Sequence, residues 1–99
     1  MKYKPTTTEL IQRRRYQILV HSYLYYDLGE TIISDYDFDI WSKELVDLQA
    51  QYPKESKDAK YYEEFIGFDG SSGFDLPYNY INIQKTGNKL LEYIRRKNT

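Results

Sequence analysis

The sequence has 99 residues, enough for one small domain with a modest hydrophobic core but too few for a large catalytic fold beside a separate cofactor domain. It contains no cysteine, which excludes disulfide bonds and thiolate metal sites, and its 14 basic residues nearly balance its 15 acidic ones. No apolar run approaches the roughly 20 residues that a membrane span needs, so we expect a cytoplasmic protein that does not enter a membrane.

The first predicted helix begins at Thr6. Thr6 and Glu9 have the spacing of a capping box, in which the hydroxyl and the carboxylate accept hydrogen bonds from amides of the opening turn. Apolar residues continue to about Leu28, and the following Gly29 is typical of the residue that ends a helix. We therefore predict a helix from Thr6 to about Leu28.

The second predicted helix has the clearest start in the sequence. Ser34 suits the N-cap position, and Asp35, Asp37 and Asp39 follow in the first turns, where the helix dipole favours negative charge. Apolar residues then recur at spacings of three and four until Pro53, which we expect to stop the helix. This apolar seam consists of Phe38, Trp41, Leu45, Leu48 and Tyr52.

The rest of the chain predicts two further helices separated by a glycine-rich loop. A short third helix is expected over Ser56–Phe65, and the loop covers residues 67–77. The last helix is expected over Asn79–Lys97, with Gly87 allowing a close approach to another element. The predicted fold is an all-α bundle of about four helices in one domain, residues 1–99.

Two short motifs near the middle of the chain carry the most specific information. Residues 21–26 read HSYLYY, and residues 33–39 read ISDYDFD. A KELVDL stretch at 43–48 and a Tyr-Pro pair follow. In order and spacing, roughly over residues 10–55, this pattern resembles the N-terminal domain of bacterial NAD-dependent DNA ligases.

The resemblance implies a binding role and a set of site residues. In those ligases the domain holds the nicotinamide mononucleotide (NMN) half of NAD, which leaves when the catalytic lysine is adenylated. It implies an NAD-type or NMN-type nucleotide as the ligand. No residue spacing in the sequence indicates a metal cluster, so we expect no metal. Where this family usually has a tyrosine, the present sequence has a phenylalanine at position 38, which keeps the stacking face and loses a hydroxyl. The implied site residues are Tyr25, Tyr26, Asp35, Phe38 and Asp39.

The residue types suit this ligand on physical grounds. A cationic pyridinium ring between aromatic faces gains on the order of 1 to 2 kcal/mol from each. Asp35 and Asp39 lie four residues apart, so they share one helix face and can accept hydrogen bonds from ribose hydroxyls. The alternative is purely structural: with 12 tyrosines in the chain, Tyr25 and Tyr26 can be core and rim aromatics, and the aspartates can be ordinary helix-start charges.

Independent catalysis is not expected from this sequence. Ligase chemistry needs the lysine of Lys-x-Asp-Gly, and the similar stretch here has Gly67 in that place. His21 has no partner at a catalytic spacing, so we assign it no mechanism. The run from Gly67 to Pro77 lacks the lysine of a phosphate-binding loop, which favours a packed surface loop over a lid or a partner contact.

The charged residues are unevenly distributed along the chain. Residues 1–26 and 84–99 each contain five basic residues and one acidic residue, whereas residues 27–69 contain four basic and twelve acidic residues. The basic runs Arg13–Arg15 and Arg95–Lys97 spread around a helix, so we interpret them as solvated surface and expect no direct nucleic-acid binding.

Beyond about residue 60 the likeness to the ligase domain fades, and the chain is more similar to small ligase-related proteins of phages. The sequence therefore predicts a non-catalytic binding module for an NAD or NMN nucleotide. The alternative is a phage-encoded interaction protein that inhibits a host protein, either a ligase or an NAD-consuming defence enzyme.

Overall fold

The structure is a computed structural model that describes residues 4–97. Four α-helices form a bundle within these residues, which contain no β-strand, so the predicted all-α fold is confirmed. None of the helices in this range has the length and apolar character required to cross a membrane. The elements are α1 (Thr7–Ser22), a π-helical turn (Tyr23–Asp27), α2 (Asp35–Gln51), α3 (Pro53–Asp58), a 3₁₀ turn (Glu63–Phe65) and α4 (Ile81–Lys97).

Helix α1 starts as predicted but ends differently. The Thr6 hydroxyl accepts a hydrogen bond from the Glu9 amide at 3.2 Å, and the Glu9 carboxylate accepts one from the Thr6 amide, which completes the capping box. The helical segment runs to Asp27, close to the predicted end at Leu28, but after Ser22 it widens from an α-helix into the π-helical turn. Gly29 then takes a left-handed conformation with φ of 66° and ends the element, as predicted.

Helix α1 is the central element of the bundle and contacts α2, α3 and α4. Its side chains are buried on more than one face, since the consecutive residues Ile18, Leu19 and Val20 are all in the core. Leu45 of α2 and Ile83 of α4 pack against this centre from either side. The core is therefore built around one helix.

Helices α2 and α3 meet at the predicted proline stop. The Ser34 hydroxyl accepts a hydrogen bond from the Asp37 amide at 3.0 Å, which confirms the predicted N-cap of α2. The helix ends at Gln51, and Pro53 then becomes the first residue of α3. Proline suits that position because the first helical amide has no partner within the helix.

The predicted third helix over Ser56–Phe65 is wrong. Helix α3 ends at Asp58, Ala59 is extended, and Tyr61 has a left-handed φ of 67°. A long-range contact explains the break: Arg15 donates to the carbonyl oxygens of Ala59 and Lys60, which therefore have partners outside any helix.

The prediction that Arg15 lies at the surface is also wrong. Arg15 is 0% exposed, and its guanidinium additionally donates to Gln49 at 2.8 Å and to the Ser56 hydroxyl at 2.6 Å. It also lies 6.0 Å from the centres of the Tyr62 and Phe65 rings. A buried cation is tolerated here because its donors have acceptors.

Helix α4 begins at Ile81, two residues later than predicted, and ends at Lys97 as predicted. Gly87 is buried against Tyr23, and a Cβ at this position would lie 2.7 Å from Tyr23 Cδ2. The predicted close approach at Gly87 is confirmed, and it brings α4 against the π-helical turn.

Candidate functional site

A cavity of about 500 Å³ lies where three segments of the chain meet. The first segment is the end of α1 with the π-helical turn, and the second is the connector from Glu30 into the first turns of α2. The third is residues 70–72 of the glycine-rich loop. The volume is in the range typical of small-molecule sites.

All five site residues implied by the sequence resemblance line this cavity. Two of them, Tyr25 and Tyr26, come from the π-helical turn; such turns occur frequently at functional sites. The other three come from the start of α2, where the Ser34 cap fixes the direction of the helix. Tyr25 is 49% exposed, and Asp35 is exposed as well, whereas Tyr26 and Phe38 are half-buried. The structure therefore brings together residues that are up to 14 positions apart in the sequence.

Tyr26 is fixed as part of the cavity wall. Its ring stacks on Tyr78 with centroids 5.9 Å apart, and it meets Tyr25 and Phe74 in edge-on contacts at 4.9 and 5.3 Å. Its hydroxyl forms a hydrogen bond with the Ser72 hydroxyl at 2.9 Å. These contacts occupy much of the Tyr26 ring, so the more exposed Tyr25 offers the larger free aromatic surface to a ligand.

The cavity lining is acidic. Glu30, Asp35 and Asp39 line it, and the lining includes no lysine or arginine. Two cations pair with these carboxylates: Lys43 lies 2.9 Å from Asp39, and Arg95 of α4 lies 2.6 Å from Glu30. Positive charge is therefore within ion-pair distance of two of the cavity carboxylates.

His21 also lines the cavity and was not predicted as a site residue. Its imidazole is in edge-on contact with the Trp41 indole, with ring centres 5.5 Å apart. Burial lowers the pKa of His21 below its ordinary value of 6.5, so the ring is neutral at pH 7. His21 lies in the motif that carries the resemblance, but its position beside Trp41 follows from the packing of α1 on α2.

The other lining residues that sequence reasoning missed include Ser22 and the loop residues 70–72. Ser22 is 0% exposed, and its hydroxyl has no hydrogen-bond partner among the residues that the structure describes. The signal that could have found the loop is its Gly-Ser-Ser-Gly composition, which suits a close approach of backbone to another surface. The sequence predicts a packed surface loop, and in the structure the loop is also a wall of the cavity.

The loop gives a physical reason for phenylalanine at position 38. The Phe38 Cζ atom lies 3.3 Å from the place that a Cβ on Gly73 would occupy. A tyrosine at position 38 would carry its hydroxyl on this Cζ atom, the ring atom that lies near Gly73. Phenylalanine lacks this hydroxyl and therefore leaves room for the loop at Gly73.

Residues 4–97 contain no group of three or more His, Asp or Glu side chains in a metal-binding arrangement.

Comparison with known proteins finds DNA ligases as relatives. The chain is 50% identical over 46 residues to the DNA ligase of Flavobacterium johnsoniae, a match that covers 46% of this chain and 7% of the ligase. It is 46% identical over 43 residues to the ligase of Chloroherpeton thalassium and 37% identical over 54 residues to that of Pseudothermotoga lettingae. This chain contains a DNA-ligase-related segment.

The similarity is confined to a small part of each relative. The matches to these three ligases cover 43 to 54% of this chain and only 6 to 8% of the ligases. No protein-family profile matches the chain, and no solved structure matches it.

Proposed function

We propose that this protein is a non-catalytic module that binds an NAD-type or NMN-type nucleotide in the bacterial cytoplasm. The observation that carries the proposal is that Tyr25, Tyr26, Asp35, Phe38 and Asp39 line one cavity. The similarity to DNA ligases over about half of the chain, from which these five residues were inferred, also supports it. The nicotinamide and ribose end of the nucleotide would occupy the cavity.

The chemistry of the lining suits a cationic ring attached to a ribose. A pyridinium ring against Tyr25 gains stacking and cation–π energy. The carboxylate of Asp35 is exposed at the cavity and can accept hydrogen bonds from ribose hydroxyls. Lys43 and Arg95 pair with the lining residues Asp39 and Glu30 and are the cations we assign to the phosphate.

The proposal assigns this protein no reaction of its own. Gly67 stands where the ligase pattern has its nucleophilic lysine, and neutral His21 packs on Trp41. We therefore expect NAD to be recovered intact after prolonged incubation with the purified protein. Release of nicotinamide or NMN would show a catalytic activity instead.

Calorimetric titration with NMN, NAD and AMP tests the binding function directly. NMN and NAD should bind with dissociation constants below about 1 mM, and AMP, which lacks the pyridinium ring, should bind more weakly. Tyr25→Ala and Asp35→Asn should each weaken NMN binding by about tenfold. If the wild-type protein binds neither pyridine nucleotide, or if both variants bind like the wild type, the proposal is wrong.

Two matched variants control for general effects of these substitutions. Tyr93→Ala removes an aromatic ring that is 61% exposed on α4, and Asp47→Asn neutralises an exposed carboxylate on α2. Neither residue lines the cavity. Both variants should bind NMN like the wild type.

A second candidate function is recognition of a host protein by a phage-encoded inhibitor. The observation that favours it is the exposure of Tyr36 (73%) and Phe74 (62%) beside the cavity, since exposed aromatic residues are frequent anchors of protein interfaces. Sedimentation of the protein mixed with a purified bacterial DNA ligase or NAD-consuming enzyme tests it. A complex that Tyr36→Ala and Phe74→Ala weaken, and Tyr93→Ala does not, supports this function.

A further inference from the structure

The glycine-rich loop reaches the cavity from outside the segment 10–55 that carries the ligase resemblance. Gly70, Ser71 and Ser72 line the cavity, and the next residue, Gly73, is buried. The loop thus forms one wall of the cavity, and the π-helical turn and the start of α2 form the others. Any ligand in the cavity meets this wall.

Hydrogen bonds within the loop fix its shape. The Asp69 carboxylate accepts from the Ser71 amide at 2.9 Å and from the Ser71 hydroxyl at 2.6 Å, which lowers the pKa of Asp69. The Ser72 hydroxyl accepts from the Phe74 amide at 3.1 Å and is bonded to the Tyr26 hydroxyl. The two serine hydroxyls are therefore held in defined positions at the cavity.

Gly73 sets how closely the loop lies against the helices. A Cβ at this position would overlap the Ser22 hydroxyl and would lie 3.1 Å from Ser22 Cβ and 3.3 Å from Phe38 Cζ. Alanine at 73 would therefore push the loop away from α1 and α2. The Ser22 hydroxyl is the nearest obstacle, and no hydrogen bond to it is found among the described residues.

We propose that residues 70–73 complete the nucleotide-binding site within the same chain, with the hydroxyls of Ser71 and Ser72 contacting the ribose. This inference rests on the proposed nucleotide-binding function. The Ser71 hydroxyl donates to Asp69, so its lone pairs stay available to accept a hydrogen bond from a ribose hydroxyl. The three carboxylates in the lining repel a phosphate. We therefore place the neutral ribose, and not the phosphate, at the loop.

The contact between Gly73 and Ser22 allows a compensation experiment on the full chain. Calorimetric titration with NMN should show binding weakened about tenfold or more in Gly73→Ala, because the loop is displaced. Ser22→Ala supplies the reference affinity for the double variant, since Ser22 itself lines the cavity. The double variant Ser22→Ala with Gly73→Ala should recover most of the affinity, because the nearest obstacle is gone.

A second pair of variants tests the loop while keeping the hydrogen bond from the Ser71 amide to Asp69. Ser71→Ala removes one cavity hydroxyl and should weaken NMN binding by about three- to tenfold, the range expected for one hydrogen bond. Asp75→Asn alters an exposed residue of the same loop that does not line the cavity, and should leave binding unchanged. Circular dichroism and thermal unfolding show whether each variant keeps its helices.

The outcomes separate the two proposals. If the wild type binds no pyridine nucleotide, the proposed function fails, and this inference fails with it. If the wild type binds NMN but Gly73→Ala and Ser71→Ala bind equally well, the function stands and the loop inference is overturned. If Gly73→Ala does not fold, the affinities of Ser71→Ala and Asp75→Asn for NMN test the loop inference. Weaker binding by Ser71→Ala alone supports it, and equal binding by both variants overturns it.

Discussion

The guanidinium of Arg15 donates a hydrogen bond to the main-chain carbonyl oxygen of Lys60, 2.9 Å away, although Arg15 is fully buried. This contact joins the centre of α1 to the segment that follows α3. Burial lowers the pKa of Arg15 to about 10, with the Glu64 carboxylate acting against that shift. The side chain therefore stays charged at neutral pH and needs all of its acceptors.

Replacement of Arg15 should be among the most destabilising changes in this protein. Arg15→Met leaves the carbonyl oxygens of Ala59 and Lys60 and the hydroxyl of Ser56 without their donor, and we expect the free energy of unfolding to fall by about 3 kcal/mol. Urea denaturation followed by circular dichroism measures this. Arg13→Ala, at an exposed position of the same helix, should change the value by less than about 0.5 kcal/mol. Equal stability of the two variants would contradict the role of Arg15.

Gly87→Ala should destabilise the protein, although alanine favours a helix more than glycine does. The new methyl group would lie 2.7 Å from Tyr23 Cδ2, so α4 must move away from the π-helical turn at a cost of about 1 to 3 kcal/mol. Thermal unfolding of Gly87→Ala beside Lys89→Ala, an exposed site on α4, measures the difference. A more stable Gly87→Ala variant would show that helix propensity outweighs this contact.

Phe38→Tyr, which restores the residue usual in the ligase pattern, should lower stability here. The added hydroxyl extends from the Cζ atom that packs near Gly73, and the overpacking is expected to cost about 1 to 3 kcal/mol. Thermal denaturation of the variant measures this cost, with Tyr36→Phe, at an exposed position of α2, as the control. An unchanged melting temperature for Phe38→Tyr would mean that the loop accommodates the hydroxyl.

His21 should make stability fall as the solution becomes acidic. Burial lowers the pKa of His21 in the folded protein below 6.5, so the unfolded chain binds a proton more readily. The free energy of unfolding is therefore insensitive to His21 above the unfolded pKa and decreases as the pH falls from there toward the folded pKa. The chain has one histidine, so His21→Gln should remove the imidazole contribution to the pH dependence of the free energy of unfolding. Urea denaturation between about pH 5 and 7 measures this dependence. An identical pH dependence in the variant would contradict this prediction.

The proposed site should distinguish oxidised from reduced nicotinamide rings. Reduction removes the positive charge of the ring, and with it the cation–π attraction to Tyr25 and the attraction to the cavity carboxylates. We expect reduced NMN to bind about tenfold more weakly than NMN in calorimetric titrations. Tyr25→Ala should narrow this difference, whereas Tyr93→Ala should preserve it. Equal affinity for both forms would indicate that ring charge is not recognised.

The helical class, both N-caps and the stop before Pro53 can be predicted from the amino-acid sequence. These features depend on residues within a few positions of one another, as with Thr6 and Glu9 or Ser34 and Asp37. The resemblance to the ligase domain also identified five residues that share one cavity, where they meet because they lie at the two ends of a short connector. Their role in ligand binding stays a prediction.

The remaining features depend on contacts between segments that are distant in the sequence. The break after α3 depends on Arg15, 45 residues before Lys60, and the cavity wall at Gly73 depends on its fit against Ser22. Likewise, the pairing of Arg95 with Glu30 spans 65 positions. Such contacts leave no periodic pattern or capping spacing in the sequence, because they form only when distant segments pack together.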